Sequence, residues 1–350
     1  MMTDDFSGFE QRKKDHIVLA LDPVHQTESE NSFDVFRFHH EAIPDINFRD
    51  IDIKTQSLGV IRQSPFFISS MTAGHLEAVK INAHLLEACE QTGWAMGVGS
   101  QRRELDDDRA ALEWKALRKA CPNVFLMANL GLAQLITTSM KTLHQLVENL
   151  GASAFIVHCN PLQECIQPEG TTDFKGSWQA IENLVRELDI PVVVKETGSG
   201  FSKVTMQRLN GIGVHAIDVS GMGGTHWGRI EGARAKHDWL REQASITFKN
   251  WGMSTAFILQ QAHQMILSSE IWASGGVRHG LDAAKAMVLG ASMVGIAKPI
   301  LKAALEGPKE VLQVMRHYEY DLKVAMFCTG VASIQALKQQ PLDVWRGLLR

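Results

Sequence analysis

From Pro65 onward, short uninterrupted apolar runs recur along the chain at a spacing near one strand–helix unit, each ending in small or polar residues. In order they are PFFISSM (65–71), GWAMGVGS (93–100), VFLMANLG (124–131), AFIVHCN (154–160), PVVVKETG (191–198), AIDVSG (216–221), EIWASGG (270–276) and MVGIAK (293–298). Between them, INAHLLEACEQ, ALEWKALRKA, MKTLHQLVENL, SWQAIENLVREL and LDAAKAMVLG return apolar side chains every three or four residues, which predicts amphipathic helices. Strands that are apolar throughout are buried on both faces and belong to a parallel sheet covered by helices. Eight such units predict an α/β fold of the closed (β/α)8, or TIM-barrel, kind over residues 61–350, with C-terminal helices. Residues 1–60 carry little periodicity beyond one short strand around 51–58 and read as an N-terminal extension. A doubly wound sheet would place GxGxxG after its first strand, where this chain has TAGHLE. The longest gap, between the sixth and seventh runs, contains GMGGTHWGRIEGAR and is expected to form a long loop over the barrel mouth.

Composition removes several function classes. The 350 residues are 45% apolar and 21% charged, with 35 Lys plus Arg against 39 Asp plus Glu, as in soluble globular proteins. A net charge of -4 without an extended basic run argues against nucleic acid held by a broad phosphate-neutralising surface. The polar N-terminus MMTDDFSGFEQRKKDH is not the apolar core of a signal peptide. The longest uncharged stretch of interest, at 286–297, is too short for the ~20 residues of a membrane span. A cytoplasmic protein without a membrane partner is expected. Five cysteines, odd in number and without a CxxC pair, fit reduced thiols rather than a disulfide frame or a structural zinc site.

Barrel enzymes place their chemistry on the loops after the strands, so the strand ends are candidate groups. They are polar here: Met71 and Thr72, then Ser100, Gln101 and Arg102, Asn129, and the cluster His158, Asn160, Gln163 and Glu164. Lys195 and Glu196, Ser220 and Thr225, Gly275, Gly276 and Arg278, and finally Ala297 and Lys298 complete the series. Paired glycines at the start of ASGGVRHGLDAAKAM let backbone N–H groups approach a phosphate, and Arg278 can add a charge-assisted bond; the plain alternative is an ordinary tight turn. Lys195, closing an apolar strand, suits three roles: a cation beside an electron-accepting ring, a Schiff-base nucleophile, or an ion pair with Glu196 or another carboxylate. The cluster from His158 to Glu164 suits an anionic substrate and a hard cation such as Mg2+, or else a solvated loop face. Arg12, Lys13, Lys14 and His16 form a basic run that is either solvated surface or a cover over a phosphate ligand.

RKKDHI, SSMTAGH, VGSQRREL, HCNPLQECIQPEGTTDF, VVVKETGSGFS, IDVSGMGGTHWGRIE, WGMSTA, ASGGVRHGLDAAKA and AMFCTGVASIQAL follow one another as in the type 2 isopentenyl-diphosphate isomerases, which this chain resembles from about residue 12 to residue 341. The resemblance implies an FMN-dependent (β/α)8 barrel that interconverts isopentenyl and dimethylallyl diphosphate by a 1,3-proton shift. It also implies Mg2+, a flavin kept reduced by NADPH, and a homo-oligomer, tetramer or octamer. Carried over by motif, Met71, Thr72, Ala73, Ser100 and Asn129 would hold FMN, joined by Lys195, Ser220 and Thr225 and, at the phosphate end, by Gly275, Gly276, Arg278, Ala297 and Lys298. Lys195 would then stand beside the flavin ring, with Gln163 near the allylic carbons as the second catalytic residue. Glu164 would contact Mg2+. Arg12, Lys13, His16, Ser100, Arg102, His158 and Gln163 would bind the diphosphate substrate, which makes the N-terminal run part of a lid. Asp15, Cys159, His226 and Gly228 depart from the family's usual residues. The alternatives are an FMN oxidoreductase of the hydroxyacid oxidase type, in which a His–Asp or Arg-rich carboxylate site is expected, and a non-catalytic FMN-binding sensor.

Overall fold

A computed structural model describes residues 4–28, 31–71 and 76–344. The extension opens with α1 (Asp4–Leu21), a helix that the weak periodicity of this segment did not predict. It continues through β1 (Phe36–Phe38) to the hairpin β2 (Thr55–Ser57) and β3 (Val60–Arg62). The hairpin spans the expected boundary at residue 60, so the extension runs into the barrel without a break. At its turn Leu58 and Gly59 have φ of 49° and 74°, the left-handed pair a tight hairpin requires.

The barrel begins at β4 (Phe66–Ile68) and α2 (Leu76–Thr92), followed by β5 (Ala95–Gly97) and α3 (Asp108–Ala120). Then come β6 (Leu126–Gly131), α4 (Leu132–Leu135), α5 (Met140–Leu150), β7 (Ala154–Cys159), α6 (Pro161–Ile166), α7 (Ser177–Glu187), β8 (Val192–Glu196) and α8 (Lys203–Gly211). After β9 (Ala216–Asp218) the long connection is not a loop. It folds into α9 (Trp227–Arg234) and α10 (Trp239–Thr247), whose starts the His226 and Asp238 side chains cap, before α11 (Thr255–His263). The last units are β10 (Glu270–Ala273), α12 (Gly280–Val288), β11 (Met293–Ile296) and α13 (Lys298–Glu306). The chain ends in α14 (Pro308–Phe327), α15 (Ile334–Leu337) and β12 (Leu342–Val344), which pairs antiparallel with β1.

All eight predicted apolar runs become strands β4 to β11, each parallel to its neighbours, and β11 pairs with β4 to close the barrel. Two apolar layers result. Most of the core lies between strands and helices, while Phe67, Met127, Ile156, Val193, Trp272 and Met293 fill the barrel interior. That plug leaves space only above it, at the C-terminal rim. The opposite end is sealed by the β2–β3 turn, where Ser57 Oγ, the Leu58 N–H and Trp272 Nε1 all donate to the Glu270 carboxylate at 2.5 to 2.9 Å. No helix among the described residues is long and apolar enough to cross a membrane, and all five cysteines are free thiols.

Candidate active site

Parallel strands in a barrel end at one rim, so the residues just beyond them converge there whatever their separation in sequence. A cavity of about 370 Å3 opens at that rim. Among its walls are Arg12, Lys13 and His16 from α1, Met71, Ser100 and Arg102 after the first two barrel strands, and Asn129, His158, Gln163 and Glu164 after the next two. Lys195, Ser220 and Thr225 continue the ring, and Gly275, Gly276, Arg278, Ala297 and Lys298 close it. Thr72 and Ala73 lie outside the described residues. Every other residue that the resemblance assigns to the site lines this one cavity, whereas Lys14, Gln101 and Glu196 do not.

Lys195 forms an ion pair, but not with Glu196. Its ammonium is 3.5 Å from Asp218, and donates to Ser220 Oγ at 3.0 Å, Ser274 Oγ at 3.4 Å and the Glu196 carbonyl at 2.8 Å. Ser274 in turn bonds both oxygens of Asp218 at 2.8 and 2.9 Å. Asp218, Ser220 and Ser274 thus fix the Lys195 Nζ in place at the end of its strand. The Glu196 carboxylate turns away and accepts the N–H groups of Gly198, Ser199 and Gly200. Burial raises its pKa to about 7 against those bonds. Ser220 has φ of 35°, unusual for a residue with a side chain, and this conformation sets its hydroxyl against Lys195.

The glycine turn fits a phosphate cradle. Gly275 and Gly276 have φ of 87° and 78°, and a Cβ on Gly276 would stand 2.8 Å from Gly223 Cα on the facing glycine loop. Only glycine allows the two loops to approach so closely. Ser69 and Ser70 also line the cavity with buried hydroxyls that have no partner, polar atoms that a flavin would satisfy. Among the described residues, Arg102 and Lys298 make no ion pair and leave their charge for an anion. Arg278 differs from expectation, because its guanidinium is committed to Asp34 and Asp282.

Behind His16 and Gln163 the organising residue is Glu231 in α9, which the motifs did not single out. It is wholly buried, and its Oε1 accepts from Gln163 Nε2 at 2.8 Å and lies 2.8 Å from His16 Nε2. Arg234 bonds its second oxygen at 2.5 Å and reaches Glu169, which also pairs with Arg12 at 3.3 Å. Burial pushes the Glu231 pKa up, yet His16, Arg234 and Gln163 outweigh it and hold it at about 2. Burial lowers the His16 pKa and favours the neutral ring, against the opposing pull of Glu231. Lys13 is lowered to about 7 by burial and by Arg12.

His158 is neutral at ordinary pH, its pKa pushed to about 3 by burial and by Lys13 and Lys195. Asn129 donates through Nδ2 to the Val98 carbonyl, so its Oδ1 accepts from His158 Nδ1 at 3.0 Å and leaves Nε2 as an acceptor. A bond from His158 to a diphosphate oxygen then requires the anion to bring a proton with it. Asn129 itself is held by Gln101, whose Oε1 accepts its N–H at 3.1 Å.

Residues suited to Mg2+ meet at Glu164. Asn160 Nδ2 donates to Glu164 Oε1 at 3.0 Å, while Asn160 Oδ1 is buried without a partner, an oxygen left open beside a carboxylate. No cluster of three or more His, Cys, Asp or Glu that could hold a metal exists among the described residues. The donor set suits Mg2+, which uses one or two carboxylates and completes its shell with substrate phosphate and water.

Comparison with known proteins agrees with this geometry. The FMN-dependent dehydrogenase family matches residues 133–344. Isopentenyl-diphosphate delta-isomerase of Legionella pneumophila (strain Corby) is 56% identical over 339 residues, covering 97% of this chain and 99% of its own. The chain belongs to the isopentenyl-diphosphate delta-isomerase family. A second member, from Bdellovibrio bacteriovorus, is 47% identical over 97% of this chain and 99% of its own. Among solved structures, the flavin-binding domain of baker's yeast flavocytochrome b2 superposes with a TM-score of 0.65 at 20% identity, covering 97% of this chain and 85% of that one. A lactate oxidase of Pediococcus acidilactici gives 0.66 at 16% identity, with 97% and 94% covered. These two share the barrel fold.

Residues that depart from the usual pattern of the isopentenyl-diphosphate delta-isomerase family have structural explanations here. His226 caps α9, its Nδ1 accepting the Arg229 N–H at 3.1 Å while Nε2 lies 3.2 Å from the Phe248 carbonyl. Gly228 lets α9 close on α6, since a Cβ there would stand 3.2 Å from Ile166 and 3.3 Å from Leu162. Asp15 lies 3.7 Å from Arg234 and joins the Glu231 network. Cys159 is buried, with its thiol pKa raised by burial.

Proposed function

We propose that this protein interconverts isopentenyl and dimethylallyl diphosphate in the cavity at the barrel rim. The observation that carries the reading is the lining of that cavity: a glycine cradle and Lys195 share it with Arg12, Lys13, Arg102 and Glu164. The glycine cradle suits the phosphate of a flavin, and the basic side chains suit a diphosphate. When bound, reduced FMN supplies the acid–base chemistry of the 1,3-proton shift, and Mg2+ on Glu164 neutralises the diphosphate.

The chain's own residues bind, orient and exclude water. Arg12, Lys13 and Arg102 donate to diphosphate oxygens, with His16 and His158 beside them and Ser100 shared between substrate and cofactor. Lys195 stands beside the flavin ring, held by Asp218, Ser220 and Ser274. Gln163 cannot drift, because its Nε2 is held by Glu231 and its Oε1 accepts from Asn160 at 3.1 Å. Trp227 packs edge-on against His16 at 5.2 Å and adds an apolar wall beside α1. Within the extension 1–60, α1 thereby acts as a lid over the barrel 61–350. The same reading includes NADPH as reductant, a homo-oligomer of four or eight chains, and a cytoplasmic location. Identity of 56% with a named isomerase, against 16 to 20% with the oxidoreductases, favours this reading over a hydroxyacid oxidase activity.

The test is anaerobic incubation of purified protein with FMN, Mg2+, isopentenyl diphosphate and limiting NADPH, following product and NADPH together. Many product molecules per NADPH support the isomerase. Product matched one for one with NADPH, or none, rejects it.

A further inference from the structure

The expectation that Arg278 grips the cofactor phosphate meets a count of hydrogen bonds. A guanidinium carries five N–H groups and no acceptor. Here Nε and Nη2 donate to Asp282 at 2.8 and 3.0 Å, and Nη1 and Nη2 donate to Asp34 at 2.9 and 2.5 Å. One N–H remains, whereas a two-pronged grip on phosphate takes two. One carboxylate has to yield, and the two are not equivalent. Asp282 is wholly buried and also accepts the Arg278 backbone N–H at 3.1 Å, so water cannot replace what it would lose. Asp34 is 42% exposed, and water can take over its lone pairs.

Asp34 can yield its bonds but cannot leave. Its neighbour Phe33 has no exposed surface, and Lys285 Nζ donates to the Phe33 carbonyl at 2.9 Å. Asn31 Nδ2 donates to the Gly276 carbonyl at 2.6 Å, which ties this segment to the glycine turn itself. A fixed negative charge therefore stands beside any anion that the turn takes up. The phosphate of FMN would bring about -1.5 to -2 charge near neutral pH, on the values for phosphate monoesters.

We propose that Asp34 is a resident counter-ion that competes with the flavin phosphate for Arg278, and so sets how strongly the site prefers FMN to riboflavin. The proposal rests on the FMN reading above and adds to it a positioning residue from the N-terminal extension, acting through Arg278. The preference is kept below what the cradle could reach, because part of the phosphate's gain is spent on displacing Asp34.

Apo-protein prepared from the purified holoenzyme is titrated with FMN and, separately, with riboflavin, following flavin fluorescence at low and high ionic strength. Asp34→Asn keeps the shape of the side chain and removes its charge. The expected result is a roughly two- to fivefold lower Kd for FMN at low salt, an unchanged Kd for riboflavin, and a gain that shrinks as salt rises. Unchanged or weaker FMN binding by Asp34→Asn overturns the proposal, as does an equal change for both flavins. Asn31→Ala loosens the same segment without altering charge; an FMN gain equal to that of Asp34→Asn would assign the effect to mobility and overturn the proposal as well. Wild-type protein that takes up neither flavin overturns the FMN reading and the proposal together, and that failure shows before any substitution is made.

Discussion

Glu231 has no exposed surface, and three side chains from two other elements and its own helix meet its oxygens within 2.8 Å. A carboxylate in that position is charged because its partners offset the cost of burial. Its pKa of about 2 lies below the ordinary 4.5, so the stabilisation it contributes is complete above about pH 4.5 and fades as pH falls toward 2. The size is on the order of 3 kcal/mol. Urea unfolding of Glu231→Gln should show a deficit of that order at pH 7 that closes steadily below pH ~4.5; a deficit independent of pH would assign the loss to packing. The motifs did not mark this residue, nor Asp218 and Ser274 beneath Lys195. Their partners lie on other strands and helices, and a single sequence does not record which elements become neighbours. Lys195, Gly275 and Gly276 were legible because an ammonium ending an apolar strand and paired glycines ahead of a helix carry their chemistry locally.

At the scale of elements, α1 shows how a helix escapes an apolar-pattern reading. Among its described side chains the buried positions are Arg12, His16 and Ala20, a strict spacing of four written mostly in polar residues. The period is helical, but Arg12 and His16 on that face meet the carboxylates of Glu169 and Glu231. Ile17→Pro removes a backbone donor in the middle of that helix, at a local cost of about 3 kcal/mol. The variant should keep a cooperative barrel and normal FMN uptake while KM for the diphosphate rises by roughly tenfold or more, as expected when charge-assisted contacts are lost. Loss of FMN binding in step with KM would show that α1 supports the barrel instead of covering it. The connection between β9 and β10 escaped for a related reason: its glycines resemble a loop, while His226 and Asp238 supply the caps that start α9 and α10.

For the whole molecule, the barrel is filled from within at one end and open at the other, and the cavity at the open rim draws on nearly every strand end. Filling it should stabilise the entire domain, because FMN binds the folded chain and not the unfolded one. At a flavin concentration of about 100 times Kd the gain is roughly 2.7 kcal/mol. Stripping FMN should therefore lower the thermal midpoint by a few degrees, and adding it back should restore the midpoint in proportion to the logarithm of its concentration. Equal midpoints with and without flavin would show that the folded chain does not bind it in preference to the unfolded one.

The sequence by itself determined the eight strands, their parallel closure, and the residue types at the rim. Apolar runs of strand length can be buried on both faces in few ways, and a barrel delivers every strand end to one surface. Only the tertiary structure decided which charges pair: Lys195 with Asp218 rather than Glu196, Arg278 with Asp34, and Gln163 with Glu231. Pairing depends on distances of a few ångströms between elements far apart in the chain, and the strength of each pair on how much water the fold excludes. Neither quantity is written in residue order.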